Sequence, residues 1–211
     1  MTLDSAYMIT ALVTMFVVID PIGIAPLFLA LTTGMTPAQR RRIALRAVCV
    51  AGGVLALFAF FGEALLGFVG ISMAAFRIAG GILLFLTALD MLFERRTKRR
   101  EDRTEEEDPS NDPSVFPLAI PLIAGPGAIA SIILLIGEKP GGEGLIMVLG
   151  ITAFVLIGMV LILMASSYLD RIIGKTGIDV ITRILGMLLA ALSVQFVLDG
   201  LAAFGFGPGP G

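Results

Sequence analysis

Six long apolar segments constrain this chain more than any other feature of its sequence. They cover residues 7–31, 43–67, 72–93, 115–137, 145–168 and 180–204. A helix of about 20 apolar residues crosses the roughly 30 Å hydrocarbon core of a bilayer. Because 57% of the residues are hydrophobic and only 15% are charged, lipid rather than water is the expected solvent. We therefore predict an all-α integral membrane protein with six transmembrane helices.

Basic residues are unevenly distributed over the connections between these segments. Thirteen lysines and arginines belong to one set of alternating connections, and two, Arg77 and Lys139, belong to the other. Basic residues near the ends of spans are retained on the cytoplasmic side. We therefore predict a multi-pass protein of the cell (inner) membrane. Both termini should be periplasmic or extracellular, and the charged linker at 94–114 should be cytoplasmic.

The two halves of the chain share short stretches of sequence. Segment 20–28 aligns with segment 125–133, and the four residues that begin at Arg77 align with the four that begin at Arg183. The separation from the aligned proline to the arginine is 56 residues in the first half and 57 in the second. Each half has three spans, so the second half must enter the membrane from the opposite side. We therefore predict two inverted three-helix repeats, at 1–93 and 115–211, joined by the linker at 94–114.

The aligned segments place proline and glycine near the middle of spans 1 and 4. Proline removes a backbone donor and clashes with the preceding turn, so both helices are expected to break there. Transporters use such breaks to present half-helix ends and free carbonyls to a substrate. The alternative is a pair of proline kinks that only shape helix packing. The candidate substrate-binding residues are Asp20, Pro21, Gly23, Ile24, Pro26, Gly125, Pro126, Gly127 and Ser131.

Asp20 is also the candidate for ion coupling. Insertion scales assign an aspartate at the centre of a span a cost of about 2.5–3.5 kcal/mol. Its carboxylate could accept a proton or help to hold a cation, which would couple solute movement to an H⁺ or Na⁺ gradient. Alternatively, it caps the half-helix that Pro21 opens, and the two roles can coexist. The aligned residue in the second half is Gly125, so the repeat supplies no second carboxylate.

Four further polar residues lie in or near spans 3 and 6. Arg77 and Arg183 lie at span ends, where a long side chain can reach the lipid headgroups at modest cost. We interpret these arginines and Asp90 as gate or structural residues. Gln195 could hydrogen-bond to another helix or reach a cavity, and both interpretations stay open.

Several classes of protein are excluded by residues that the chain lacks. It has no histidine and a single cysteine, Cys49. The spans provide no paired carboxylates, activated nucleophile or metal-ligand cluster, so we expect neither an enzyme nor a cofactor or metal site. The basic clusters are explained by topology and contact with anionic lipid, without nucleic acid. The expected partners are a small-molecule solute and membrane lipid, and the oligomeric state is left open.

Four sequence motifs resemble those of the MarC family of bacterial inner-membrane proteins. They are DPIGIAPLF, FRIAGGILLFLTALDMLF, AIPLIAGPGAI and TRILGMLLAALSVQFVLDG, in matching order over nearly the whole chain. The resemblance implies a relation to the LysE-like transporter superfamily and, for some members, uptake or exchange of glycine and alanine. It also marks two departures, because the family often has Asn where this chain has Ile24 and a hydroxyl residue where it has Ala130. Ser131 is then the nearby hydroxyl.

The leading hypothesis is a secondary transporter that works by alternating access of the two repeats. A small zwitterionic solute, such as glycine or alanine, would bind at the midplane with its carboxylate facing the half-helix N-termini. The competing hypothesis is a structural or regulatory membrane protein that transports nothing.

Overall fold

The computed structural model describes residues 5–93 and 113–206. Within these ranges the chain forms helices and no strands, which confirms the predicted all-α class. Apart from its last two residues, the predicted linker at 94–114 lies outside the described residues. The helices are α1 (Ser5–Ile19), α2 (Pro21–Leu31), α3 (Pro37–Val69), α4 (Met73–Leu92), α5 (Ser114–Ile123), α6 (Pro126–Glu138), α7 (Gly142–Met164) and α8 (Ser166–Ala203).

Five stretches of the described chain are long and apolar enough to cross a membrane. They are Ser5–Leu31, Pro37–Val69, Met73–Leu92, Gly142–Met164 and Thr176–Ala203. A sixth is obtained when α5 and α6 are counted as one span that bends by 51°. Large apolar side chains such as Phe68, which is 90% exposed, cover the outside of these helices, as contact with lipid requires. The protein is therefore a multi-pass membrane protein.

Polar caps set the helix starts, and they lengthen α3 beyond the predicted span at 43–67. The Thr36 hydroxyl accepts a hydrogen bond from Gln39 N–H at 3.3 Å, and Gln39 Oε1 accepts one from Thr36 N–H at 2.8 Å. This reciprocal pair satisfies two backbone donors that the helix start would otherwise leave free. Pro37 follows at the first helical position, where its missing N–H is not needed. The basic residues from Arg40 onward therefore belong to the helix rather than to a loop.

The last helix starts earlier than the predicted span at 180–204. α8 begins at Ser166 and changes direction at Gly174, which has φ 66° and ψ 172°. Glycine is the residue that adopts this conformation without steric cost. The part of α8 that is long and apolar enough to span a membrane is Thr176–Ala203.

Helices α4 and α8 form an antiparallel pair in close contact. A Cβ atom built on Gly81 would lie 2.8 Å from Ser193 O, and one built on Gly186 would lie 2.9 Å from Met91 Cβ. Residue numbers therefore rise along α4 where they fall along α8. Glycine at these positions allows the two backbones to approach, as is common between membrane helices.

The remaining helices pack mainly between the two halves of the chain. α3 packs against α7, α2 packs against α7 and α8, and α6 packs against α3 and α4. The interior side chains of α6 are the most completely enclosed, with Ile132, Leu134 and Leu135 all at 0% exposure. The core therefore lies at the interface between the halves, where α1 packs against α6.

Candidate functional site

Asp20 separates α1 from α2. It has φ 56° and ψ 61°, a left-handed conformation that no other non-glycine residue in the described ranges adopts. Its Oδ1 accepts a hydrogen bond from Gly23 N–H at 3.0 Å and so caps α2. Pro21 occupies the first position of α2, where a missing N–H carries no penalty. The cap that the sequence allowed is therefore present, on a side chain with 0% exposure.

Gly23 leaves the space that this cap occupies. A Cβ atom built on Gly23 would overlap the Asp20 carboxylate. Any side chain at this position would therefore displace the carboxylate from the start of α2. The DPIG turn thus combines a left-handed residue, a proline at the helix start and a glycine that makes room for the cap.

The second separation lies between α5 and α6. α5 is an interrupted helix, because Phe116 and Ile120 inside it have extended backbone angles, each directly before a proline. A proline disfavours the helical conformation of the residue before it. Gly125 then takes an extended conformation, and Pro126 begins α6. A Cβ atom built on Gly125 would lie 2.5 Å from Pro121 O, so glycine is the residue that fits this turn.

The two helix starts lie at the same level because α1 and α6 pack antiparallel. Tyr7 OH donates a hydrogen bond to Leu135 O at 2.7 Å. A Cβ atom built on Gly127 would lie 3.3 Å from Val18 Cγ1. Asp20 lies two residues after Val18 at the end of α1, and Pro126, the first residue of α6, lies one residue before Gly127. The positive dipole ends of α2 and α6 are therefore level with each other. The Asp20 carboxylate already caps α2, whereas α6 has no side-chain cap, so the start of α6 is the end suited to a further anionic group.

The predicted substrate-binding residues lie at the two helix starts and in the first two turns that follow, and they are exposed unequally. The Ile24 side chain has 0% exposure and belongs to the core, so it adds no polar contact to the site. Asp20, Pro21, Ile24, Gly127 and Ser131 are buried, Gly23, Pro26 and Gly125 are half-buried, and Pro126 is exposed.

The predicted gate or structural residues lie elsewhere, toward the ends of α4 and α8. Arg77 and Asp199 lie at one end, where both interact electrostatically with Glu138, the last residue of α6. Asp90 and Arg183 lie toward the other end, near the contact of Gly186 with Met91. A Cβ atom built on Gly127, at the start of α6, would lie 3.6 Å from Thr87 Oγ1, so Asp90 is about one helical turn from that level and Arg77 is about three turns from it.

Gln195 forms a hydrogen bond along its own helix. Its Nε2 donates to Asp199 Oδ1 at 2.7 Å, within α8. The side chain is exposed on the surface of the bundle. The sequence left open a bond to another helix or access to a cavity, and the hydrogen bond observed for Gln195 is to a residue one turn away in the same helix.

Sequence reasoning missed three polar residues that the packing makes conspicuous. Glu138 and Asp199 lie near span ends, where charged residues are ordinary, so no sequence signal distinguished them. Thr14 has 0% exposure, and its Oγ1 has no hydrogen-bond partner in the described part of the chain. The available signal for Thr14 was a hydroxyl residue inside an apolar span, which by itself is too common to mark a site.

A separate cavity of about 340 Å³ lies where the α2–α3 turn meets the α7–α8 junction. Arg40 Nη1 donates to Ser167 Oγ at 3.2 Å, and Arg40 Nε donates to Thr32 O at 3.3 Å. The arginine therefore links the two turns. None of the residues that line this cavity is a predicted substrate-binding residue. Over residues 5–93 and 113–206, no cluster of three or more His, Cys, Asp or Glu side chains is placed to hold a metal ion.

Comparisons with known proteins give the same family as the four sequence motifs. Residues 5–204 match a family described as MarC family integral membrane protein. UPF0056 membrane protein MJ1677 of Methanocaldococcus jannaschii is 37% identical over 201 residues, which cover 94% of this chain and 98% of that protein. UPF0056 inner membrane protein YhgN of Escherichia coli K12 is 32% identical over 193 residues, which cover 92% of this chain and 95% of that protein. No solved structure matches the chain. The chain belongs to the MarC family of integral membrane proteins.

Proposed function

We propose that this protein is a secondary transporter of small neutral amino acids such as glycine or alanine. The observation that carries the proposal is that the starts of α2 and α6 lie at one level, as the contact between Val18 and Gly127 requires. Membrane proteins keep non-helical backbone inside the bilayer only where protein or an aqueous cavity covers it. Half-helix N-termini offer N–H groups and positive dipole ends to a substrate carboxylate. The proposal involves no catalytic residue, cofactor or metal.

Packing between the halves supports the inverted repeats on which alternating access depends. α2 packs against α7 and α8, and its aligned counterpart α6 packs against α3 and α4. For α2 and α6, exchange of the two halves thus gives the same helix pairs, and the aligned helices α4 and α8 are antiparallel. In the proposed mechanism, spans 1 and 4 are broken helices, formed by α1–α2 and by α5–α6. One repeat rocks against the other around the site between these two spans.

The location follows from the charge distribution and from a relative. The thirteen basic residues on one set of connections support a cytoplasmic linker and external termini. YhgN is named an inner membrane protein, which supports the same membrane for this chain. We therefore place the protein in the cell (inner) membrane.

Asp20 has two compatible roles in this proposal. Its carboxylate caps α2 through Gly23 N–H, and it is fully buried beside the proposed substrate position. A carboxylate in such surroundings is a natural binding group for H⁺ or Na⁺. Binding of the cation would neutralise the carboxylate and tie the ion gradient to movement of the solute.

Transport into proteoliposomes tests the proposal directly. Purified protein should accumulate labelled glycine or alanine when a proton or sodium gradient is imposed, and protein-free liposomes should not. Asp20→Asn should retain exchange of the amino acid down its gradient but lose accumulation, because asparagine keeps the cap and removes the charge. Glu63→Gln, at an exposed carboxylate of α3, is the matched control and should transport like the wild type.

The possible results separate the hypotheses. Absence of uptake and exchange for both amino acids would contradict the proposed substrates and favour the non-transporting structural or regulatory protein. Full accumulation by Asp20→Asn would restrict Asp20 to its role as a helix cap.

A further inference from the structure

Two buried hydroxyl groups, on Thr14 and on the predicted substrate-binding residue Ser131, have so far been matched to no group of the solute. Both residues have 0% exposure, and in the described part of the chain neither hydroxyl oxygen has a hydrogen-bond partner. Buried helical threonines commonly bond to the carbonyl one turn earlier. Thr152 in α7 does so, since its Oγ1 donates to Val148 O at 2.8 Å. The two unpaired hydroxyls therefore require a specific explanation.

Thr14 belongs to the face of α1 that contacts α6. It lies seven residues after Tyr7 and four residues before Val18, and both spacings keep residues on one side of a helix. Tyr7 and Val18 both contact α6, at Leu135 and Gly127 respectively. Thr14 thus lies between two established points of contact.

Ser131 has the corresponding position on α6. It lies four residues after Gly127 and four residues before Leu135, the partners of those two contacts. Because the helices are antiparallel, the middle of one contact stripe faces the middle of the other. Thr14 and Ser131 therefore lie on opposite sides of the interface between α1 and α6, here called the α1–α6 seam, and at the same height along it.

The hydroxyl pair is within reach of a solute bound at the start of α6. Ser131 follows Pro126 by five residues, which corresponds to about 7.5 Å along the helix axis. Helical side chains also lean toward the N-terminus of their own helix, which brings the hydroxyl closer to the start of α6. A small amino acid whose carboxylate lies at that start would direct its other polar group toward the seam.

We propose that the hydroxyls of Thr14 and Ser131 receive the ammonium group of the transported amino acid. This inference rests on the proposed function and extends its site along the α1–α6 seam. Each hydroxyl oxygen can accept a hydrogen bond from an ammonium group, which has three donors to share. The carboxylate is assigned to the positive helix end, so the ammonium group is the part of the solute left to satisfy the hydroxyls. Without solute, the unpaired hydroxyls destabilise the seam.

The test measures affinity and unliganded stability in the same variants. Thr14→Val and Ser131→Ala should each raise the Kd for alanine about tenfold or more, because each loses a hydrogen bond to a charged group. Their unliganded melting temperatures should be equal to or higher than that of the wild type, because an unpaired buried hydroxyl has been removed. Thr152→Val removes a hydroxyl that has a partner and should leave the Kd unchanged. Titration of glycine and alanine, followed by thermal unfolding in detergent, provides both readouts.

A competitor that lacks the ammonium group tests the assignment of that group. Propionate should compete weakly with alanine, and the double variant Thr14→Val/Ser131→Ala should bind propionate as the wild type does. Stronger loss of propionate than of alanine in the double variant would assign the hydroxyls to the carboxylate and overturn the proposal.

The remaining outcomes separate this inference from the function on which it rests. Wild-type protein that binds alanine, together with variants that bind it equally well and melt at lower temperature, would show that the hydroxyls are structural, for example through a bridging water. That result overturns the inference alone. Wild-type protein that binds neither glycine nor alanine overturns the proposed function and this inference with it.

Discussion

Asp20 adopts a backbone conformation that costs most residues about 1–2 kcal/mol, although Asp and Asn tolerate it well. Asp20→Asn should therefore change the free energy of unfolding little, since asparagine caps a helix as well as aspartate. Asp20→Ala should destabilise the protein by about 1–2 kcal/mol, because it loses the bond from Gly23 N–H. Thermal unfolding of the purified variants measures both changes. Equal destabilisation by the two substitutions would show that the charge, rather than the cap, stabilises this turn.

At the scale of whole helices, the close contact between α4 and α8 depends on glycine. A Cβ atom built on Gly81 would lie 2.8 Å from Ser193 O and 3.1 Å from Val197 N, and neither backbone atom can move without displacing α8. Gly81→Ala should therefore destabilise the bundle by about 1–3 kcal/mol, as an overpacked contact does.

Gly53 in α3 provides the matched control for this element, because a Cβ atom there would meet nothing within 4 Å. Gly53→Ala should leave stability unchanged or raise it by up to about 1 kcal/mol, through its better helix propensity. Unfolding of both variants under the same detergent conditions makes the comparison. If the two substitutions had the same effect, the α4–α8 contact would be looser than the structure places it.

At the scale of the whole molecule, the proposed topology predicts which connections face the cytoplasm. In a Cys49→Ser background, Glu143→Cys at the start of α7 should react in intact cells with a membrane-impermeant maleimide. Thr33→Cys in the α2–α3 turn should react only after the membrane is permeabilised, because that turn belongs to the basic, cytoplasmic side. Both positions are exposed, so labelling of both after permeabilisation is the control. The opposite pattern would invert the topology.

Local chemistry in the sequence determined the helical class, the candidate spans, the family and the turn at Asp20. Hydropathy acts along a single segment, and the effects of Pro21, Gly23 and Gly125 reach only a few residues, so each could be predicted without knowing its neighbours in space. Helix limits were less accurate. The predicted span begins at Ile43, directly after Arg42, whereas the helix continues back to its cap at Thr36.

The tertiary structure decided which polar groups meet and which have no partner. Thr14 and Ser131 are both buried without a partner among the described residues because α1 packs antiparallel to α6. Glu138 lies near Arg77 and Asp199 only because α4, α6 and α8 converge at one end. Whether a hydroxyl is buried or satisfied depends on side chains far away in the chain. Such properties arise from packing between helices, and hydropathy and spacing within one helix do not contain them.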